Sequence, residues 1–349
     1  MGFSNYDYSK LTKRQINKIG DYIRAHDIKY ENGILIHQDE YEAVREDLDA
    51  YRYKHIRPMD DIFDQIVKLK TKHSEFDMLV AERPKRLPSI LGKLHRFPTM
   101  ELSQIQDLGG VRVIVNDIDQ LQKLLPLLDE ILPDYREKNR IKNPAPSGYR
   151  GIHRIFKRDG VAIELQIRTM LQHVWATTVE SIDVLRGTSM KNGQNDPAWT
   201  EFFQLLSSIF AMSEQMPVLD MHDGASPAEI VDMVRRLNEE YQIVSQVENY
   251  SKTNFIDTDS KQYPDAYYAL ISRDNDKITQ ITYYTETEEY KAFEDYENYE
   301  RSVDNRDKVL VSVDKVKQLL KAYPNYFVNL EKIAKTLKTL LDKATEVKI

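Results

Sequence analysis

The sequence predicts a mixed α/β protein, and three observations carry that reading. Val111–Val115 (VRVIV) is a short apolar run behind the pair Gly109–Gly110, the pattern of a buried strand entered from a flexible turn. His153–Phe156 and Val161–Ile167 flank Arg158–Asp159–Gly160 and read as a strand pair about a tight turn. Around these lie longer stretches with apolar residues at three- and four-residue steps, the period of helices packed on a core.

Taken in order, residues 10–25 and 39–74 read as helices, with Pro58 breaking or starting one. Asp77–Glu82 reads as a short strand. Pro88 opens a helix that runs through Arg96, since proline is accepted in a first helical turn. Ile118–Leu132 is helical. Thr169–Leu185 is a helix on which His173, Ala176, Thr177 and Glu180 share one side. After residue 187, GTSMKNGQNDPAW reads as a loop. Trp199–Gln215 is an apolar helix, and Ser226–Glu248 a charged one opened by Ser226–Pro227. Tyr267–Ser272 and Lys277–Tyr284 flank a hairpin turn, Val309–Val313 is a strand, and helices follow at about 314–321 and 328–346. The expected organisation is a helical segment at 1–50, a mixed α/β domain over 51–190, and a smaller α+β C-terminal domain over 191–349 that need not share its core.

Composition narrows the function classes. Of 349 residues 41% are apolar, enough for an ordinary core, and 30% are charged. No apolar run approaches the roughly 18 residues that a membrane span needs. The start, MGFSNYDYSKLTKRQ, lacks an apolar signal-peptide core, so a cytoplasmic location is expected. Without cysteine there is no disulfide and no thiolate metal site. A net charge of −7 argues against a general nucleic-acid coat protein, but the charge is uneven. Residues 83–96 hold five Lys/Arg and no acid, whereas 286–300 hold seven acids and one Lys. Either run can be a solvated face.

Four segments carry candidate chemistry. In the first, Arg83, Lys85, Ser89, Lys93 and Arg96 step across a strand–helix junction. Such a set is either a solvated basic helix face or a polyphosphate site aided by the helix N-terminus. In the second, Asp107 precedes Gly109–Gly110 and Arg112. It is either a capping acid at a glycine turn or a Mg²⁺ ligand, since Mg²⁺ takes one or two carboxylates plus substrate phosphates. The third, Asn143–His153, is a Pro/Gly-shaped loop that either packs Tyr149 beneath itself or offers its ring to a base, with His153 beside it. In the fourth, strand alternation puts Glu164, Gln166 and Arg168 on one face, where Glu164 suits a second metal ligand or a general base; the alternative is a surface strand.

Together these segments, in this order and at these spacings, resemble the RelA/SpoT synthetase domain over about residues 50–185. The resemblance implies a nucleotidyltransferase-like mixed sheet flanked by helices. It also implies a pyrophosphokinase that moves the β,γ-diphosphate of ATP to the 3′-hydroxyl of an acceptor nucleotide, with Mg²⁺ as cofactor. It further implies that Arg83 and Arg112 flank the adenine and that Lys85, Ser89, Lys93 and Arg96 surround the phosphates. Asp107 and Glu164 handle Mg²⁺, and Glu164 also activates the acceptor hydroxyl. Tyr149 stacks on the acceptor base, with His153, Gln166 and His173 placing the acceptor. The chain departs from the pattern at Pro144–Ala145, where small alarmone synthetases carry Pro–Lys, and at Gly151, which replaces a common Ser. Both departures weigh against GDP or GTP as acceptor. The His and His–Asp ligands of the family's hydrolase domain are missing, and His222–Asp223 reads as a lone structural or exposed pair.

Tyr323–Pro–Asn–Tyr326 is either a helix-joining turn with packed aromatics or a pair of rings offered on one side of a turn. In the second form the chain resembles the fused toxin–antitoxin synthetases of the CapRel type. That resemblance implies that Tyr323 and Tyr326 plug the adenine site, that the acceptor is the 3′-CCA end of tRNA, and that a phage protein releases the block. Two further readings stand beside it: a (p)ppGpp synthetase acting on GDP or GTP, and a catalytically inactive nucleotide-binding regulator.

Overall fold

The computed structural model describes residues 11–31, 34–186, 196–251, 266–274, 277–301 and 307–313. The N-terminal part packs α1 (Lys13–Ala25) and α2 (Gln38–Tyr53) about a small hairpin of β1 (Lys29–Glu31) and β2 (Ile34–Ile36). Then follow α3 (Ile56–Lys72), β3 (Met78–Pro84), α4 (Leu87–Arg96), β4 (Gly109–Val115), α5 (Ile118–Ile131), β5 (Tyr135–Asn139), β6 (Ile152–Arg158), β7 (Val161–Thr169) and α6 (Met170–Arg186). The later elements are α7 (Pro197–Ser213), α8 (Pro227–Tyr241), α9 (Ile243–Ser251), β8 (Tyr268–Asp274), β9 (Lys277–Tyr284), α10 (Glu289–Arg301) and β10 (Asp307–Val313).

Eight strands form one mixed sheet in the order β5-β6-β7-β4-β3-β10-β8-β9, with β4 and β7 its parallel pair. Strand alternation gives the sheet two unlike faces. Val80, Val111, Val113, Leu165, Ile167 and Phe156 point into the main core, which α3, α4 and α5 help to close. The opposite face carries Arg83, Arg112, Glu164, Gln166 and His153 at one end, because β4, β6 and β7 run in register there. Further along, the same face turns apolar, with Leu79, Ala81, Ile114, Ala269, Ile271 and Val311.

Local chemistry explains the element ends. Thr12 and Gln15 form a reciprocal cap on α1, and Ser226 and Glu229 another on α8. Pro58 sits in the first turn of α3, where a missing N–H costs nothing, so it starts this helix.

The C-terminal strands differ from expectation. β10 pairs antiparallel with β3, Ser312 against Glu82, and carries β8 and β9 into the same sheet. Tyr268, Leu270, Phe293, Tyr296 and Leu310 join the main core. β8, β9 and β10 therefore extend the sheet of the first domain, and with α10 they share its core. The physical reason is that β3 would otherwise leave its outer backbone groups unpaired. A second core does exist. Trp175, Trp199, Phe202, Phe203 and Phe210 hold α6, α7, α8 and α9 together beside the sheet. His222 is buried there against Ser208 Oγ at 2.8 Å, a structural role as expected. The helices anticipated at 314–321 and 328–346, with Tyr323 and Tyr326, lie outside the described residues.

Candidate active site

A cleft of about 270 Å³ opens over the polar end of the sheet. Its lining includes Arg83, Lys85, Asp107, Arg112, Tyr149, His153, Glu164, Gln166, Arg168 and Glu180. Residues from five elements and three connecting loops thus meet in one place, and eight of them were anticipated from sequence spacing.

The cationic side begins where β3 leaves the sheet. Lys85 lies between β3 and α4, and Lys93 one turn from the end of α4, yet both reach the same acid. Lys85 Nζ stands 2.6 Å from Asp107 Oδ2, and Lys93 Nζ 2.9 Å from Oδ1. Burial alone would raise the Asp107 carboxyl, but the two ammonium groups overcome it and hold the pKa at about 2. Burial, only partly offset by Asp107, lowers the pKa of Lys85. The N-terminus of α4 follows directly, and Ser89 lies one turn before Lys93 on that helix. Ser89 and Lys93 do not themselves line the cleft, and Arg96, at the helix end, is exposed and outside the lining too.

The opposite side is a chain of hydrogen bonds. Arg168 Nη2 donates to the Tyr149 hydroxyl at 2.7 Å, and its guanidinium lies 4.9 Å from the ring centre. The Tyr149 hydroxyl stands 2.6 Å from His153 Nε2. His153 Nδ1 is 2.7 Å from Glu164 Oε1, and Gln166 Nε2 donates to Glu164 Oε2 at 2.6 Å. A carboxylate oxygen can only accept, so Nδ1 carries the proton; in the neutral ring Nε2 then accepts from tyrosine. Burial would raise the Glu164 carboxyl, yet the bonds from His153 and Gln166 leave it below its usual value. Gln166 Oε1 in turn accepts from Arg168 at 3.0 Å and from Arg112 at 3.5 Å.

Tyr149 is therefore neither fully packed away nor fully presented. It is half-buried, its hydroxyl is fixed at both sides, and Arg168 lies against its ring. His173 is buried on α6 and does not line the cleft, though Glu180 on the same helix does. Sequence reasoning gave no role to Arg168 or Glu180. The signals were nonetheless present: Arg168 continues the alternation from Glu164, and Glu180 shares a helical side with His173.

The two carboxylates suit a Mg²⁺ ion. Both stay ionised, both are hard oxygen donors facing one cleft, and the charge of Asp107 opposes the ionisation of Glu164. A cation held by both would relieve that repulsion, since Mg²⁺ needs only one or two carboxylates beside phosphates and water.

Comparison with known proteins follows the same residues. Residues 82–182 match the family model described as a region found in RelA / SpoT proteins. An uncharacterized Mycobacterium tuberculosis protein, Rv1366, is 31% identical over 156 residues, 43% of this chain and 57% of its own length. The chain thus spans little more than half of that relative. The GTP pyrophosphokinase YwaC of Bacillus subtilis is 29% identical over 170 residues, 42% of this chain and 80% of its own. Among solved structures, small alarmone synthetase 1 from Bacillus subtilis, bound to its product pppGpp, is 20% identical. It covers 49% of this chain and 94% of its own, with a TM-score of 0.43.

Proposed function

We propose, from the match of residues 82–182 to the RelA/SpoT region, that the chain is an ATP-dependent pyrophosphokinase. One observation carries the reading: a single cleft joins a Lys–Asp–Lys cluster on one side to a Tyr–His–Glu chain on the other. Phosphoryl transfer needs charge neutralisation and alignment more than covalent chemistry, and this set supplies both. Lys85, Lys93 and the start of α4 hold the triphosphate, with Ser89 near it and Arg96 outside; Arg83 and Arg112 take the adenine. Asp107 and Glu164 would hold Mg²⁺, which would supply charge neutralisation at the phosphates when bound. Glu164 takes the proton of the acceptor 3′-hydroxyl, whose oxygen attacks the β-phosphorus of ATP. The bond from that phosphorus to the α–β bridging oxygen breaks, AMP leaves, and the acceptor gains a 3′-diphosphate. Tyr149, His153 and Gln166 place the acceptor.

The acceptor in this reading is the 3′-CCA end of tRNA, and the protein is a self-neutralised toxin in phage defence. What supports this is residue 145: an alanine stands where a lysine would meet acceptor phosphates, and its backbone serves only to close the loop onto Gly148 and Tyr149. The regulatory part rests on the sequence pattern of Tyr323 and Tyr326 alone. A second reading, GDP or GTP as acceptor, is favoured by the activity for which YwaC is named, a GTP pyrophosphokinase. One assay tests both. The protein is incubated with γ-labelled ATP and either bulk tRNA or GDP and GTP. Label on the tRNA 3′ end with release of AMP is the expected result. Label only on guanosine nucleotides moves the protein to the second reading, and label on neither removes the pyrophosphokinase assignment.

A further inference from the structure

The loop that carries Tyr149 is fastened to a helix outside the RelA/SpoT region. Ser207, on α7, is buried and holds the peptide before the tyrosine and the side chain of the residue after it. Its hydroxyl donates to the Gly148 carbonyl at 2.6 Å and accepts from Arg150 Nε at 3.0 Å. Three residues earlier on the same helix, Gln204 Nε2 donates to the Pro146 carbonyl at 2.8 Å. Arg150, itself buried, closes the arrangement by donating from Nη1 to the Ile141 carbonyl at 3.2 Å. The fit is tight. Gly148 has φ +93°, and a Cβ there would lie 3.0 Å from Ser207 Cβ and 3.0 Å from Trp175 Cζ2.

We infer that Ser207 is a positioning residue for the acceptor side of the cleft. It acts through Tyr149 and does not touch substrate. The reasoning is geometric. Tyr149 has its hydroxyl fixed by Arg168 and His153, while Ser207 fixes the Gly148 carbonyl before it and the Arg150 side chain after it. Side chain and backbone are thus anchored to different bodies, the sheet and α7. Loss of the α7 anchor lets the loop move while the sheet, with Asp107, Lys85 and Glu164, stays in place. Alignment at the acceptor then suffers, and ATP binding does not. A 1 Å displacement of a positioning group can cost about a hundredfold in rate, so one hydrogen-bonding serine can matter. A consequence is that any ligand which shifts α7 reaches the acceptor site without touching the RelA/SpoT region.

This inference rests on the pyrophosphokinase reading for its kinetic test but not for its structural one. Ser207→Ala is compared with wild type for transfer from ATP to whichever acceptor the labelling assay identifies. We expect acceptor kcat/KM to fall about tenfold or more, on the scale of one to two lost hydrogen bonds, with KM for ATP unchanged. Ser207→Cys, which keeps size and a weak donor, restores part of the loss. In a Tyr149→Ala background, Ser207→Ala has little further effect, because both act through one ring. Equal losses for ATP and acceptor, or full additivity with Tyr149→Ala, overturn the inference and make Ser207 ordinary packing. If wild type transfers to no acceptor, the pyrophosphokinase reading falls, and hydrogen exchange decides for Ser207 separately. Faster exchange confined to residues 143–151 in Ser207→Ala upholds the anchor, and unchanged exchange there overturns it.

Discussion

Asp107 shows how two neighbouring cations set the charge of a single residue. Two ammonium groups occupy its two oxygens, and the cleft is neutralised in advance of the negative charge that a nucleotide brings. The same arrangement has a sign in stability. Asp107 is ionised in the fold down to a pKa of about 2, below the ordinary 3.8. Its contribution is therefore present above the ordinary value and disappears as pH falls towards about 2. Asp107→Asn should make thermal stability less sensitive to acid in that window, as a calorimetric pH series would reveal; an unchanged acid limb would mean that the lysines do not pair with it in solution. Glu164 makes a sharper case for chemistry. Glu164→Gln keeps the shape but removes the charge and the only proton acceptor that His153 and Gln166 orient. Transfer should fall by roughly 10²–10⁴, the usual worth of a general base, with the fold intact by circular dichroism. Near-normal turnover in that variant would leave base catalysis to another group.

Elements differed in how openly the sequence announced them. β4, β6 and β7 were legible because they are apolar on at least one face and are bounded by glycines or a turn. The polar face of β7 was legible too, since alternation alone groups Glu164, Gln166 and Arg168. β5 was not, for it reads Tyr-Arg-Glu-Lys-Asn and lies at the sheet edge with its middle residues exposed, so no apolar period marks it. The division of 39–74 into α2 and α3 was half visible: Pro58 marked a start, but Lys54 and His55 at the junction keep helical dihedrals and give no breaker signal. α8 and α9 part at Gln242, a non-glycine in the left-handed region, which composition does not betray. The acidic run at 286–300 concealed α10, whose Ala292, Phe293 and Tyr296 form a narrow buried stripe under a charged surface. Where an element meets a tight neighbour, a single atom tests the packing. Gly148→Ala places a Cβ against Ser207 and Trp175 at a φ that disfavours side chains, by about 1–2 kcal/mol for the backbone alone. The variant should melt lower than wild type and lose transfer. An unchanged melting temperature would mean that the loop stands further from α7.

At the scale of the molecule, the seam between β3 and β10 joins the later strands to the strand that carries Arg83. It is sealed by an unusual group. Glu82 is buried and accepts from Ser312 Oγ across the seam at 2.6 Å. Asp60 on α3 and Glu289 on α10 lie close enough for side-chain hydrogen bonds and mutual repulsion. Burial first, and then the charges of Glu82 and Glu289, raises the Asp60 carboxyl; burial first, and then Asp64 and Glu289, raises Glu82 to about 7 despite the bond from Ser312. Carboxyls raised in this way keep protons in the fold that the unfolded chain has released. Their contribution is complete below the ordinary carboxyl range and is lost as pH rises through the folded values. The seam should therefore loosen between about pH 5 and about pH 8, opposite in sign to the effect at Asp107. Glu82→Gln retains an oxygen for Ser312 and removes one titrating group, so its melting temperature should vary less over that range than wild type's. Hydrogen exchange locates the effect: amides of β10 should exchange faster in wild type at the upper pH and change less in the variant. If wild-type β10 is equally protected at both ends of the range, the carboxyls are already ionised in the fold, and the seam rests on the pairing of β10 with β3 and β8 and on the contacts of Phe293 with Tyr53 and Tyr268.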